Sequence, residues 1–275
     1  MRISGSTAVV TGASSGIGRA VALRLAKLGA NVALVARREQ VLEAVAVDVG
    51  RHGGKVLVVP CDVTDVAAVE RAHRRVVEEL GSPDIVVNAA GFGVWRPFFE
   101  ITPAEHAGMM DTMYWGAHAW IRAVLPAMLA RRRGHVVNIS AGSGQFGLPV
   151  TSGFSAAAFA VRGFSEALHR ELLGRGVGVS CVCPGSVRTA FWDDQRTPRA
   201  GVPVLVRYAP KLSPEAVARN VCYCIRLNLA VRTLPIFVAF LARANALWIR
   251  LGDLILWKWF VPALAVLLLL RFTLF

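Results

Sequence analysis

The amino-acid sequence predicts an α/β fold, in which a doubly wound parallel sheet forms a single domain with an apolar helical extension at its C-terminus. Apolar runs of strand length alternate with helical patterns over about the first 190 residues. The chain has 275 residues, which is enough for one large domain with a buried core. A glycine-rich segment also follows the first predicted strand and opens the first predicted helix.

The predicted strands are rich in valine and apolar on both faces, as expected when helices cover both sides of a parallel sheet. A helix is expected over Gly18–Leu28, where apolar residues recur at helical spacing. Gly29 and Gly81 are expected to end helices. Strands and helices in this alternation build a Rossmann-type sheet. The predicted strands are Thr7–Val10, Asn31–Ala36, Lys55–Pro60, Ile85–Asn88, His135–Ser140 and Gly178–Cys183.

Charge and composition narrow the classes of function. The formal net charge is +13, which suggests an anionic partner such as a phosphorylated ligand or a membrane surface. We expect no nucleic-acid partner, because no known motif is present and no aromatic residues alternate with the basic ones. The 5 cysteines are accompanied by no cluster of metal ligands, so we expect reduced, intracellular thiols and no metal. Because the chain enters a strand at Thr7, no targeting segment is expected before the fold.

The sequence divides into a domain over residues 1–228 and a C-terminal segment over residues 229–275. Within that segment, Leu234–Trp257 is apolar, and its charged residues are spaced to share one helical face. The apolar run Trp259–Leu270 is shorter than the ~20 residues that span a bilayer, and tryptophans lie beside basic residues. We therefore predict a segment that lies on a membrane, and a cytoplasmic, peripherally membrane-associated protein. A tilted or re-entrant span, and packing against another subunit of a homo-oligomer, are the alternatives.

The glycine-rich segment predicts a site for the phosphates of a dinucleotide. Gly12 allows a tight turn, Gly16 lets the backbone approach a pyrophosphate, and Gly18 lets the helix pack closely on the strand. The phosphates would then accept hydrogen bonds from the free N–H groups at the positive end of the first helix. The candidate residues of this phosphate loop are Gly12, Ser14, Ser15, Gly16, Ile17 and Gly18.

The end of the second strand predicts which dinucleotide binds. An NAD(H) site has an acidic residue here that accepts a hydrogen bond from the ribose 2′-hydroxyl, but this sequence has Ala36. Arg37 follows, and together with Arg19 or Arg38 it can pair with a 2′-phosphate. The sequence therefore favours NADP(H) over NAD(H).

These motifs together resemble the short-chain dehydrogenase/reductase family over about residues 5–225. The resemblance implies that Asp62 and Val63 contact the adenine and that Thr189 binds the nicotinamide carboxamide. The basic, apolar C-terminal segment resembles family members that associate with membranes and act on lipophilic alcohols and ketones, so a lipophilic small molecule is a further expected partner. The remaining motif residues that the resemblance assigns to the cofactor are Asn88, Ala89, Gly91, Pro184, Gly185 and Val187.

The resemblance also locates the family's catalytic residues. In the family a Tyr donates the proton, a Lys four residues later lowers the pKa of that Tyr and binds the ribose, a Ser polarises the substrate oxygen, and an Asn holds a water. In this sequence the Tyr position holds Phe154 and the Lys position Ala158. The Ser and Asn positions hold Ala141 and Met113. None of the four side chains can perform the corresponding step.

No shift of register recovers the missing pair. The residues four positions after the three tyrosines are His118, Leu212 and Leu227, so no Tyr-x-x-x-Lys occurs in the chain. Ser140 or Ser143 could polarise an oxygen, and Tyr114 neighbours the Asn position but is expected to face elsewhere on its helix.

Three hypotheses follow from the sequence. The first is a catalytically silent NADP(H)-binding protein that is docked on a membrane and forms a homo-oligomer, and whose catalytic residues were lost naturally or replaced deliberately. The second is an active membrane-associated oxidoreductase for a lipophilic alcohol or ketone with an unconventional proton donor. The third is a structural or partner-binding scaffold that the nucleotide only stabilises.

Overall fold

In a computed structural model, the chain forms three layers, with a parallel sheet between two layers of helices. The structure describes residues 1–193, 206 and 209–248. The strands are β1 (Thr7–Thr11), β2 (Asn31–Ala36), β3 (Val56–Pro60), β4 (Ile85–Asn88), β5 (Gly134–Ile139), β6 (Val177–Pro184) and β7 (Val231–Leu234). The helices described are α1 (Gly16–Lys27), α2 (Glu39–Gly50), α3 (Val66–Leu80), α4 (Pro103–Met110), α5 (Gly116–Ala130), α6 (Ser152–Glu171), α7 (Pro214–Leu227) and α8 (Ile236–Trp248).

The sheet has 7 strands in the order β3-β2-β1-β4-β5-β6-β7, and all neighbouring strands are parallel. The predicted doubly wound fold is confirmed, and all six predicted strands lie in the sheet with small changes at their ends. The first predicted helix begins at Gly16 rather than Gly18. The seventh strand, Val231–Leu234, was not predicted, and it joins the sheet from beyond residue 228. Residues 249–275, which hold most of the predicted membrane segment, lie outside the described part of the chain.

Apolar side chains cover both faces of the sheet. On one face, Val21, Leu42 and Ile225 bring α1, α2 and α7 against the strands. On the other face, Val76 and Trp120 bring α3 and α5 against them. Burial on both faces explains why the strands are valine-rich rather than alternating between apolar and polar residues.

Local signals fix the start of several helices. The Asp65 carboxylate accepts a hydrogen bond from the backbone N–H of Ala68 and caps α3. Thr102 and Glu105 form a reciprocal capping box at the start of α4. A π-helical turn, Asp111–Trp115, connects α4 to α5. The π-helical turn matters for the site because it brings Met113 to the carboxyl edge of the sheet.

The order of the strands reverses between β1 and β4, because the chain first builds outward to β3 and then returns to the centre. At such a switch point the loops after the two central strands diverge and leave a crevice outside the carboxyl ends of the strands. The structure has a cleft of about 970 Å³ at this place.

Candidate functional site

The cleft is lined by the segments that follow β1, β2, β3, β4, β5 and β6, and by the start of α8. Of the residues that the sequence assigned to a cofactor, all but Asn88 line the described cleft, and the Asn88 side chain is buried. Its Nδ2 donates a hydrogen bond to Asn138 Oδ1 at 2.8 Å. The cleft residues among the assigned set are Gly12, Ser14, Ser15, Gly16, Ile17, Gly18, Arg37, Arg38, Asp62, Val63, Ala89, Gly91, Pro184, Gly185, Val187 and Thr189.

The phosphate loop is built from close backbone contacts that only glycine permits. A Cβ atom at Gly12 would lie 2.7 Å from the carbonyl oxygen of Ala89, and one at Gly18 would lie 2.2 Å from the carbonyl oxygen of Gly12. Gly12 and Gly16 also have positive φ angles of 65° and 54°. Ser15, the N-cap residue of α1, makes no side-chain capping hydrogen bond. The loop therefore presents backbone N–H groups at a positive helix end, which is a fit for the phosphates of a dinucleotide.

The hydroxyl of Thr11 ties the phosphate loop to the segment after β4. Thr11 Oγ1 accepts hydrogen bonds from the backbone N–H groups of Ala89 and Ala90 at 3.0 and 3.2 Å. The motif after the fourth strand therefore supports the loop through its backbone. This contact between the two segments does not involve the Asn88 side chain.

Basic side chains surround the end of β2. Arg38 Nη2 donates a hydrogen bond to Ser14 Oγ at 3.3 Å, and Arg37 Nη1 lies 3.9 Å from Asp62 Oδ2. The Arg37 side chain is 78% exposed. Arg19 instead forms an ion pair with Asp48 at 2.8 Å. Of the two alternatives that the sequence left open as the partner of Arg37, the geometry favours Arg38 because it adjoins the phosphate loop.

The segment after β6 closes the opposite end of the cleft. The backbone N–H of Gly185 donates a hydrogen bond to the carbonyl oxygen of Leu234 at 2.6 Å, which fixes the segment to β7. A Cβ atom at Gly16 would lie 3.1 Å from Thr189 Cγ2, so the Thr189 side chain lies against the phosphate loop. The predicted nicotinamide segment and the predicted phosphate loop therefore face one another across a short distance.

The four positions that the resemblance assigned to the family's catalytic residues lie together on the same side of the cleft. Met113, Ala141 and Phe154 line the cleft. Ala158 is fully buried one turn further along α6. Met113 and Phe154 belong to the same apolar cluster as Ala158, and Ala141 packs against it. The side chains at these positions bring only apolar groups to this side of the cleft.

Aromatic rings make up much of the same wall, and the sequence did not indicate them. The Trp95 ring lies 6.0 Å from that of Phe154 and 5.1 Å from that of Trp192, measured between centroids. The Phe154 and Phe191 rings are 5.6 Å apart. A Cβ atom at Gly93 would lie 2.7 Å from Phe191 and 3.0 Å from Trp95 Nε1, so the rings pack tightly around that glycine. The signal in the sequence was the pair Phe191-Trp192 directly after the nicotinamide motif.

The polar residues that could replace the lost groups have different environments. Ser140 Oγ donates a hydrogen bond to the carbonyl oxygen of Ala158 at 2.8 Å, so it is engaged with α6. Ser143 lines the cleft, and its buried Oγ has no hydrogen-bond partner in the described part of the chain. The Tyr114 ring packs on Phe164 with centroids 5.5 Å apart, and Tyr114 is absent from the described cleft lining.

Titratable side chains in the described cleft lining are concentrated at the predicted adenosine end, where Arg37, Arg38, Cys61 and Asp62 follow β2 and β3. Burial, reinforced by the charge of Asp62, raises the pKa of the Cys61 thiol to about 11, so it remains protonated at neutral pH. Asp111, on the π-helical turn, is exposed. The described lining therefore has no buried titratable side chain beside Phe154.

A family model described as short chain dehydrogenase matches residues 6–200. The chain is 32% identical to the fatty acyl-CoA reductase of Acinetobacter baylyi over 225 residues, which cover 81% of this chain and 74% of that protein. It is 38% identical to the glycine betaine reductase of Emericella nidulans over 228 residues, which cover 82% of this chain but only 18% of that protein.

Solved structures give the same picture of the fold. A short-chain dehydrogenase/reductase from Burkholderia phymatum, in complex with NAD, superposes with a TM-score of 0.83 at 26% identity, covering 91% of this chain and 96% of that one. An alcohol dehydrogenase from Thermococcus sibiricus, complexed with 5-hydroxy-NADP, has a TM-score of 0.73 at 28% identity, covering 83% of this chain and 94% of that one.

Proposed function

Because the chain belongs to the short-chain dehydrogenase family of oxidoreductases, we propose that it binds NADP(H) in the cleft without sustaining ordinary hydride transfer. One observation carries the proposal. Backbone groups suited to a dinucleotide line one side of the cleft, while Met113, Ala141 and Phe154 present apolar groups where the family's catalytic side chains stand.

The preference for NADP(H) rests on charge at the end of β2. Ala36 supplies no carboxylate for a ribose 2′-hydroxyl, while Arg37 and Arg38 both line the cleft there. Arg38 also donates a hydrogen bond to Ser14 of the phosphate loop, so its guanidinium is held beside that loop. Two guanidinium groups favour a 2′-phosphate over a neutral hydroxyl. Relatives in solved structures hold NAD in one case and an NADP derivative in another, so the family alone leaves both possible.

The expected loss of activity follows from proton transfer. A bound nicotinamide cofactor supplies a hydride, and the carbonyl oxygen must then gain a proton from the protein. Phe154 has no hydroxyl to give one, and Ala158 has no ammonium to lower the pKa of a neighbouring group. Positioned proton transfer contributes ~10²–10⁴-fold to rate, and groups that act together are not additive. Any turnover is therefore expected to be at least about a hundredfold below that of a complete site.

Nucleotide binding and turnover can be measured on the same purified protein. We expect NADPH to raise the melting temperature of the protein and to change its fluorescence on binding. We expect the absorbance of NADPH to stay unchanged when lipophilic ketones are added. Turnover at ordinary enzyme rates would overturn the proposal of a silent site. A failure of both NADPH and NADH to stabilise the protein would overturn nucleotide binding and leave the scaffold hypothesis.

Restoring the four family residues tests whether the rest of the site is intact. The variant carries Met113→Asn, Ala141→Ser, Phe154→Tyr and Ala158→Lys. We expect NADPH-dependent ketone reduction at least about a hundredfold above the starting protein. A matched control restores all but the tyrosine and should remain silent, because the proton donor is still missing.

An active oxidoreductase remains the second candidate, and Ser143 is the observation that favours it. The Ser143 hydroxyl is buried, lines the cleft and has no hydrogen-bond partner in the described residues, so it can polarise a substrate oxygen. The relatives named above are reductases. If slow turnover is detected, Ser143→Ala should abolish it, whereas the same change should leave NADPH binding intact.

We also propose that residues 229–275 hold the protein peripherally on a cytoplasmic membrane surface and that it forms a homo-oligomer. The run Trp259–Leu270 and the tryptophans beside basic residues support the membrane part. Removing the residues after Leu251 should release the protein from vesicles in a flotation assay. Sedimentation velocity measures the oligomer, and a monomer at all concentrations would contradict that part.

A further inference from the structure

The helix α8 (Ile236–Trp248) has two faces with different environments. Phe237, Val238 and Leu241 line the cleft. Ile236 and Phe240, one helical turn apart, are 86% and 69% exposed. Large apolar side chains are rarely this exposed as neighbours on one face unless the face contacts a partner. We call Ile236, Phe240 and Arg243 the outer face of α8.

The inner side of α8 packs against the segments that line the cleft. These contacts fix the position of its outer face relative to the cleft. Val238 is 6% exposed and packs over two glycines. A Cβ atom built on Gly142 would lie 3.3 Å from Val238 Cγ1, and one built on Gly185 would lie 3.4 Å from Val238 Cγ2. The hydrogen bond from Gly185 to Leu234 fixes the strand that leads into α8.

The charge of the outer face indicates the chemistry of its partner. Arg243 is exposed and lies seven residues after Ile236 and three after Phe240, which puts all three on one side of the helix. The sequence Ile236–Trp248 contains no acidic residue, and the chain carries a formal charge of +13. Exposed apolar residues with a basic residue at the same face suit the surface of an anionic bilayer, where rings enter the interface and the guanidinium meets phosphate.

We propose that the outer face of α8 docks on an anionic phospholipid bilayer and thereby holds the cleft against the lipid. No helix in the described part of the chain is long and apolar enough to cross a membrane. Only the ~10–12 Å thickness of one helix then separates the bilayer from the cleft wall. The proposal deepens the proposed function and rests on its membrane association.

The test uses the full-length chain and vesicles of phosphatidylcholine with and without phosphatidylserine. The variant Ile236→Ser/Phe240→Ser removes the apolar part of the outer face but leaves the cleft residues in place. A matched control, Leu173→Ser/Leu227→Ser, removes two leucines that are 61% and 53% exposed on other parts of the surface. We expect the α8 variant to lower the partition coefficient on phosphatidylserine vesicles about tenfold or more, and the control to leave it unchanged. NADPH-induced stabilisation serves as the check that the variant is folded.

The outcomes separate this inference from the proposed function. If the unaltered protein does not float with either vesicle, membrane association itself fails. If it floats and the α8 variant floats equally well, the docking surface is wrong while membrane association stands. Hydrogen exchange at residues 236–243 provides a second measurement, because docking should slow it only when anionic vesicles are added.

Two other occupants of the outer face would also overturn the proposal. The first is the chain's own C-terminal segment. In that case hydrogen exchange at residues 236–243 would be slow without vesicles and would become fast when residues 252–275 are removed. A shift from dimer to monomer in the α8 variant, measured by sedimentation velocity, would mean that a second copy of the chain covers it.

Discussion

The choice between NADP(H) and NAD(H) can be tested by removing the arginines at the end of β2. The variants are Arg37→Ala, Arg38→Ala and the double change. Both arginines line the cleft beside Ala36, and Arg38 is linked to Ser14 of the phosphate loop. If they bind the 2′-phosphate, their loss weakens NADPH and leaves NADH, which lacks that phosphate, almost unaffected.

The structure sets the size of the effect. Hydrogen bonds to charged groups contribute about 1.5–3 kcal/mol. The Arg37 side chain is 78% exposed, so solvent screens it, and the lower value is appropriate. About 1.5 kcal/mol corresponds to a roughly tenfold rise in the dissociation constant of NADPH for each single variant. The double variant should approach about a hundredfold if the two contacts are independent.

Each variant is titrated with NADPH and with NADH in the same buffer and salt, and binding is measured by calorimetry or fluorescence. Arg19→Ala is the matched control, because Arg19 pairs with Asp48 and should change NADPH affinity little. Equal losses for NADPH and NADH would refute the assignment of these arginines to the 2′-phosphate. A larger loss in Arg19→Ala than in Arg38→Ala would show that the wrong arginine was chosen.

Three further predictions concern the scaffold of the site. Burial lowers the pKa of His135 in the folded protein to about 3, whereas its ordinary value is 6.5. Between these two pH values the unfolded chain binds a proton at His135 and the folded chain does not. The stability that neutral His135 contributes is therefore complete above about pH 6.5 and is lost as the pH falls towards 3, by up to about 4–5 kcal/mol; the pH dependence of urea unfolding should be weaker in His135→Gln. Gly18→Ala should abolish NADPH binding in calorimetry, because its Cβ would lie 2.2 Å from the Gly12 carbonyl oxygen. Asp84→Ala should lower the free energy of unfolding by about 2–4 kcal/mol in urea titration. The reason is that Asp84 Oδ2 accepts a hydrogen bond from the Thr7 N–H and Oδ1 pairs with Arg131 and Arg133. The control Asp48→Ala removes an exposed ion pair and should change the free energy of unfolding by less than about 1 kcal/mol.

The parts of the site that could be predicted from the sequence depend on local chemistry. Gly12, Gly16 and Gly18 could be placed because a tight turn against a neighbouring strand excludes every other residue. The strands β2 and β4 were predicted at their observed ends, since each is a short apolar run bounded by turn residues. These signals need no knowledge of distant segments.

The parts that could not be predicted depend on contacts between distant segments. β7 (Val231–Leu234) is short, and Arg232 interrupts its apolar pattern, so only its pairing with β6 makes it a strand. Trp95 and Trp192 come from loops nearly a hundred residues apart, and only the fold brings their rings to 5.1 Å. For the same reason the role of α8 as a cleft wall had no signal in its apolar sequence, which is equally typical of a membrane-lying helix.

The two sides of the cleft differ in the groups they present, which are backbone groups on one side and side chains on the other. The phosphate loop presents backbone groups, and a Cβ atom at Gly12 or Gly18 would lie only 2.7 or 2.2 Å from a backbone carbonyl oxygen, whether or not the protein is an enzyme. On the other side of the cleft, Phe154 and Ala158 pack within a buried apolar cluster. An ammonium at position 158 would instead need a partner for its charge in a site that is fully buried. The fold can therefore keep a nucleotide site whichever side chains occupy the other side of the cleft, and family membership alone does not determine activity.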